Sequence, residues 1–545
     1  MVMFRVKIKI AEWKLILLLS LFMSIVPNLA FWKNIYSLIP DASMSNLYFY
    51  FAMLIFTVCI LNILLTLVLW KNTFIIPILL LLLSASFGYF SLSFNIYVDL
   101  HMLLNIMETN TGEAIALMTP YMIIWIVLVG ILPSIFLLKI TLIKRSLGTL
   151  LKIRIFIITS SIAVLLISSM PIYNYYASFF RNNNQIIKQL TPSNYIVAGV
   201  KYLNMRFERP VPYKQIGLDA KQIKPQNTEI THKPKLMIFV LGETSRAQNF
   251  SLNGYEKLTN PKLAVIENLI NFEQASSCAT ATAISVPCMF SNLTREHYNP
   301  KIAKSEDNVL DILSRVGVSI LWRENDEGCK GVCDNVLNEQ IIHFTPESEC
   351  PLGLCYDEHL LSNIEDFINK QTQDTLIVLH TNGSHGPSYY QRYPPSFPGQ
   401  FKPACETNQI QSCDKESLIN TYDNTILYVD TVLDKTIDLL LKQNRFVTSM
   451  LYLSDHGESL GENGLYLHAA PYMIAPKEQT HIPFMFWFSD SWVEQEQLDL
   501  ACWQQMAKNR TVSHDNLFHS LLGLFRVQTE VLNQALDLSH TCLKS

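Results

Sequence analysis

The chain has 545 residues, 49% of them hydrophobic and only 16% charged, against about 25% charged in an ordinary soluble chain. Residues 1–180 carry 11 Lys/Arg and 5 Asp/Glu, and residues 181–545 carry 31 and 41. That split excludes a purely soluble protein, and the composition argues against disorder. It also excludes a nucleic-acid binder, which needs a dense basic face where this polar part is acidic.

Five apolar runs are long enough for the roughly 20 residues that cross hydrocarbon: 15–32, 47–70, 73–97, 116–138 and 155–179. None contains Lys or Arg. A signal peptide accounts for the first run only. Arg5, Lys7, Lys9, Lys14, Lys71, Lys139, Lys144, Arg145, Lys152 and Arg154 fall on one side of these spans, and Lys33 alone on the other. The positive-inside rule then places the N-terminus in the cytoplasm. An odd number of spans sends everything after Phe180 outside, which in a two-membrane bacterium is the periplasm.

Cysteine usage agrees. Cys59 lies within a span, and the other ten follow the fifth. Ten cysteines in a non-cytoplasmic region read as disulfides. The sequence-local pairs are Cys278 with Cys288, Cys329 with Cys333, Cys350 with Cys355, and Cys405 with Cys413. The pairing of Cys502 and Cys542 stays open. Cys329 and Cys333 also have the spacing of half a zinc site, but no second such pair accompanies them.

Residues 181–234 read as a bridge, with a surface helix at 191–203 and then a proline-containing connector. From Lys235 the pattern is α/β. Short apolar runs at 236–241, 318–322, 375–380, 449–453 and 482–488 look like buried strands. Helical stretches at 308–316 and 418–442 lie between them. Such alternation predicts a mostly parallel sheet, whose ligands bind at the carboxyl ends of the strands.

Those ends carry the chemistry. The first strand runs into Gly242-Glu243-Thr244-Ser245-Arg246. The strand at 375–380 runs into His380-Thr381-Asn382-Gly383-Ser384-His385. The strand at 449–453 runs into Ser454-Asp455-His456-Gly457-Glu458, where Gly457 is expected to permit a turn. Carboxylates and imidazoles are zinc ligands, and His468 follows nearby. Singly, each motif has an ordinary reading as a helix cap or a hydrogen-bonded loop. Three strand ends together point to a metal site. A hydroxyl-rich stretch bounded by Cys278 and Cys288 offers a nucleophile, since a hydroxyl at a helix N-terminus meets anion-binding N–H groups. Pattern alone leaves Thr280, Thr282 and Ser285 open.

These motifs resemble, in the same order, those of the phosphoethanolamine transferases that modify lipid A, the family that includes the colistin-resistance enzymes. The matching residues are Gly242–Arg246 with Asn253-Gly254-Tyr255, then Cys278 through Thr282 with Ser285-Val286-Pro287-Cys288. Ser384-His385-Gly386-Pro387 and Ser454–Ser459 complete the set. The resemblance implies a multi-span α-helical membrane domain (1–180), a periplasmic bridging segment (181–234) and an alkaline phosphatase/sulfatase-like α/β/α sandwich (235–545). It implies Glu243, Thr282, Asp455 and His456 as ligands of one Zn²⁺, with Thr282 as the nucleophile. It places His385 and His468 around the substrate phosphate and a candidate second metal. His380 and Lys330 match nearby residues for proton transfer or binding, and Asn105, Thr109 and Glu113 match a lipid-donor site. Their four-residue spacing also suits one helix face. Ala279 stands where many relatives carry Gly.

The implied reaction moves phosphoethanolamine from phosphatidylethanolamine to a phosphate of lipid A through a Thr-linked intermediate. It lowers surface negative charge and gives resistance to polymyxin and other cationic peptides. The enzyme is expected to act as a monomer among the lipids of the bacterial inner membrane. The alternatives are the same transfer onto a core sugar (Kdo or heptose) and a zinc-dependent membrane lipid phosphodiesterase.

Overall fold

The structure, a computed structural model, describes residues 8–39, 44–70, 73–109, 114–115, 117–172, 179–180, 183–207, 211–223, 232–326, 328–350 and 355–542. The chain divides into two compact units, Met1–Leu103 with Met118–Phe207, and Leu104–Leu117 with Glu208–Ser545.

The first unit is helical. Asn46–Val68, Ile75–Phe94, Pro120–Leu138 and Leu147–Ile172 are each long and apolar enough to cross a membrane. The first predicted span is instead a bent pair, Glu12–Ile25 and Leu29–Leu38, at 54°, and counted as one span it brings the number among the described residues to five. Pro27 lies in the break, where a missing N–H and ring clash end a helix. Asn28 satisfies the groups this exposes. Its Nδ2 donates to the Met23 carbonyl at 2.7 Å, and its Oδ1 accepts from the Thr191 N–H at 2.8 Å.

The fifth span starts earlier than its apolar run. Ser146 caps it by accepting from the Thr149 N–H, so Lys152 and Arg154 join the helix rather than the loop before it. Arg154 is buried, and its charge is met by Glu12 at 2.7 Å, the Leu69 carbonyl and the Trp70 ring. A buried charge persists in such a place only when paired. The surface helix of the bridge is Ser193–Phe207 and belongs to this first unit.

The second unit is built on a seven-stranded sheet: β1 Lys235–Gly242, β2 Leu269–Phe272, β3 Ser319–Glu324, β4 Leu337–Gln340, β5 Thr375–His380, β6 Val447–Ser454 and β7 Phe484–Phe488, in the order β2-β7-β6-β1-β5-β3-β4. β7 runs antiparallel to both of its neighbours, and the other pairings are parallel. Every residue of β1 is buried, which explains why its sequence is a continuous apolar run rather than an alternating one. Met237, Phe239 and Leu241 join a core with α2 (Val309–Arg315) and α4 (Asp515–Leu524). The alternate side chains point to the other face, where α3 (Lys415–Leu441) packs on β6 and β1. The result is an α/β/α sandwich. β2 and β4 have no counterpart among the predicted strands. Both are four residues long, and β4 is a mostly exposed polar edge.

Five disulfides join Cys278 to Cys288, Cys329 to Cys333, Cys350 to Cys355, Cys405 to Cys413 and Cys502 to Cys542. Cys329, Cys333 and Asp334 lie close enough for a metal, but the two sulfurs are bonded to each other and are not thiolates. Cys59 is free and buried.

Candidate active site

Register brings the polar residues together. In the parallel pairings Ser454 faces Gly242, Leu241 faces His380, and His380 faces Glu324. Four adjacent strands therefore end at one level, with Asp455 and His456 after β6, Glu243 after β1, His380 closing β5 and Glu324 closing β3.

Glu243, Asp455 and His456 are fully buried, and each offers a ligand atom within 4.8 Å of the others. The chain turns after Glu243 through Thr244, at φ +50°, whose N–H donates to Asp455 Oδ1 at 3.1 Å. His456 Nδ1 donates to the Gly457 carbonyl at 2.9 Å, which leaves the Nε2 lone pair for the cluster. Gly457 has a role other than the expected turn. It lies outside the left-handed region, and a Cβ there would sit 2.0 Å from the Glu478 carbonyl oxygen. Close approach of two chains, not a special φ, demands the glycine.

The hydroxyl stretch resolves by geometry. α1 (Thr282–Met289) begins at Thr282, behind an extended Ala281. Thr282 Oγ1 lies 3.2 and 3.3 Å from the two Glu243 carboxylate oxygens and 3.2 Å from His456 Nε2. Thr280 donates instead to the Ala470 carbonyl at 2.6 Å, and Ser285 to the Asp455 carbonyl. Only Thr282, among the three, turns its hydroxyl into the cluster, at the positive end of a helix.

The electrostatics call for a cation on this side. Burial, then Asp455 and Asp326, pushes the Glu243 carboxyl well above its ordinary value. Burial, then His468, holds His456 well below its own, so the imidazole is neutral. Asp455 Oδ2 is buried without a hydrogen-bond partner. Two carboxylates, a neutral imidazole and a hydroxyl, with one carboxylate oxygen unsatisfied, form a donor set that fits a divalent metal ion.

Glu243 also belongs to a second group with Asp326 and His380. His380 Nδ1 lies 3.0 Å from Glu324, and its Nε2 lies 3.7 Å from Asp326. Burial opposes the charged imidazolium, but Glu324 and Asp326 outweigh it and raise His380 to about 9. Burial lifts Asp326 to about 6, against the pull of His380 and Lys330.

Models of two families match this chain: "Sulfatase" over residues 235–527 and "Phosphoethanolamine transferase EptA/EptB" over residues 57–207. The chain is 42% identical to phosphoethanolamine transferase EptA of Escherichia coli K12, over 99% of its own length and 98% of the relative's. The chain belongs to the phosphoethanolamine transferase family. It is 35% identical to the phosphatidylethanolamine transferase Mcr-1 of E. coli, with 96% of each chain covered. It superimposes on the integral membrane lipooligosaccharide phosphoethanolamine transferase A of Neisseria meningitidis with a TM-score of 0.95. That match has 38% identity and covers 98% of this chain and 100% of the other.

The remaining predicted residues fall as follows in this family member. His468 stands 4.7 Å from His456 and 4.9 Å from His385, ring to ring, and its Nδ1 is 3.3 Å from Glu458. Lys330 takes a left-handed backbone inside the Cys329–Cys333 loop and lines a cavity of about 630 Å³ together with Pro287 and Ser291. Thr109 Oγ1 donates to the Asn105 carbonyl at 2.9 Å, so these two occupy successive helical turns. Glu113 lies outside the described residues.

Sequence reasoning missed Asp326, Glu324 and Asp357. Asp326 and Glu324 had a signal. β3 runs two residues past its predicted end, which carries its carboxyl end to Glu324 and, just beyond, Asp326. Asp357 accepts from the N–H groups of Asn382 and Gly383 at 2.8 and 2.9 Å, holding the loop that carries His385. Nothing local in its sequence marks that role.

Proposed function

We propose that this enzyme transfers phosphoethanolamine from phosphatidylethanolamine to a phosphate of lipid A, with Thr282 as the covalent carrier. The observation that carries the assignment is the Thr282 hydroxyl, poised at a helix N-terminus against Glu243 and His456. Glu243, Asp455, His456 and Thr282 Oγ1 would hold one Zn²⁺, which supplies Lewis-acid charge that favours the Thr282 alkoxide and offsets charge on the phosphoryl oxygens.

Thr282 Oγ, having released its proton to solvent, attacks phosphorus and the bond to the diacylglycerol oxygen breaks. His380, charged between Glu324 and Asp326, gives the departing oxygen its proton. His385 and His468 bind the phosphoryl group, with Lys330 beside them, and Asn105, Thr109 and Glu113 position the donor lipid. A phosphate oxygen of lipid A then displaces Thr282, which completes a two-step exchange. The product carries a new ammonium group, so cationic peptides such as polymyxin bind the cell surface less well. Residues 1–180 tether the protein, as a monomer, in the inner membrane. Residues 181–234 bridge to a periplasmic catalytic domain at 235–545.

Mass spectra of lipid A from a Gram-negative host expressing the protein test this. One phosphoethanolamine increment is expected, and none with Thr282→Ala. The same increment on the core oligosaccharide instead would move the acceptor there. Diacylglycerol release with neither product would make the enzyme a phosphodiesterase.

A further inference from the structure

We infer that His514 is a positioning residue of the transfer reaction, a buried strut that sets Thr282 against Asp455 and His456; this rests on the transferase reading above. The segment carrying the nucleophile is zipped to the segment carrying His514. Val512 pairs in parallel with Ala275, and Ser513 with Ser276. The His514 N–H continues the ladder to the Ser276 carbonyl at 3.1 Å. The ladder then passes into the side chain. His514 Nδ1 accepts from the Cys278 N–H at 3.0 Å and lies 3.3 Å from Ser285 Oγ. On the far side of the ring, Nε2 donates to the Ser454 carbonyl at 2.9 Å, at the end of β6 and one residue before Asp455. Ser285 itself donates to the Asp455 carbonyl.

One ring thus bridges three pieces of chain: the loop entering α1, the first turns of α1, and the strand end that delivers Asp455 and His456. His514 is buried. Its tautomer is fixed by its partners, because a nitrogen that accepts from a main-chain N–H carries no proton. Burial agrees, holding the ring neutral at about 4. Aligning a nucleophile with the phosphorus it attacks is worth orders of magnitude in rate, and a displacement of about 1 Å can cost about 100-fold.

His519 provides an internal control. It sits five residues on in α4, and burial lowers it likewise to about 4. Its Nδ1 accepts from the Asn533 N–H at 3.1 Å. It does the same structural task for a segment that does not carry the cluster.

The experiment uses the purified full-length enzyme with fluorescent phosphatidylethanolamine as donor. His514→Asn keeps an acceptor near the Nδ1 position, and His514→Gln keeps a donor near the Nε2 position. Each should lower kcat by about 10- to 100-fold, with KM within about twofold and zinc content unchanged. The pH–rate profile should keep its shape, because a neutral strut passes no proton. His519→Gln should lower Tm by a similar amount and keep the wild-type kcat. Ser285→Ala, which removes one arm of the bridge and leaves the ring in place, should lower kcat in the same direction by a smaller factor.

Wild-type kcat in both His514 variants, with Tm lowered as in His519→Gln, overturns the inference and leaves His514 a packing residue. A displaced pH limb would assign it proton transfer instead, and a raised KM at constant kcat would assign it substrate binding. The wild-type control separates the two claims. No transfer by the wild type sinks the transferase reading together with this inference, whereas normal transfer with unaltered variants sinks the inference alone.

Discussion

Glu243 stands between two groups of similar composition and different charge balance. Toward β6 it meets Asp455 and His456, and that imidazole is neutral, presenting a bare Nε2 to Thr282. Toward β5 and β3 it meets Asp326 and His380, and that imidazole is cationic because Glu324 and Asp326 surround it. The first group lacks positive charge and leaves a carboxylate oxygen unsatisfied. The second holds its own cation. Environments that push like groups apart suit them to different roles: on the proposed reading the metal would sit with Asp455 and His456, and the mobile proton on His380.

Thr282→Ala should reduce transfer by roughly 10⁴-fold or more and abolish any phosphoethanolamine adduct on the protein, as read by intact-protein mass spectrometry. An adduct that survives would move the nucleophile elsewhere.

Next come the two histidines. His456→Ala should lose both zinc and activity. His380→Gln should keep its zinc and still lose about 10²- to 10⁴-fold in rate, the usual worth of a positioned acid. Equal zinc loss in the two variants would erase the distinction.

A smaller effect is expected from Glu324→Gln. It removes the larger of the two attractions that keep His380 charged, so the alkaline limb of the rate profile should move to lower pH. The stability consequence has a definite sign. The folded value of about 9 exceeds the ordinary 6.5, so the His380 contribution is complete below pH 6.5 and fades as pH rises through about 9. Denaturant melts at pH 6 and pH 10 should therefore differ less in Glu324→Gln than in the wild type.

The mildest chemical change lies behind Glu243. Gly383 has φ +53°, and a Cβ there would approach the Glu243 carbonyl oxygen to 2.4 Å. Gly383→Ala should cost about 1–3 kcal/mol and weaken zinc binding by displacing Glu243, both measurable by thermal melts and zinc titration.

What the sequence made legible was whatever a single segment encodes. A buried parallel strand writes itself as an apolar run, and its carboxyl end announces Glu243, His380, Asp455 and His456. Five apolar runs marked the membrane unit, although the break at Pro27 and the early start at Ser146 depend on caps that hydropathy does not register. β4 stayed hidden because an exposed edge strand needs no apolar run. Asp326 was concealed by a strand end drawn two residues short. His514 was beyond local reading altogether, since its partners Cys278, Ser285 and Ser454 lie 236, 229 and 60 residues away. Spacing alone left Thr282, Thr280 and Ser285 equal and only the resemblance singled out Thr282; the structure adds the physical reason, since Thr280 and Ser285 already have carbonyls to bond.

The division of roles around Glu243 is tested most directly by counting zinc in the purified wild type, His456→Ala and His380→Gln. One zinc per chain is expected in the wild type and in His380→Gln, and none in His456→Ala. Two zincs in the wild type, with one lost in His380→Gln, would contradict it and make the second group a metal site.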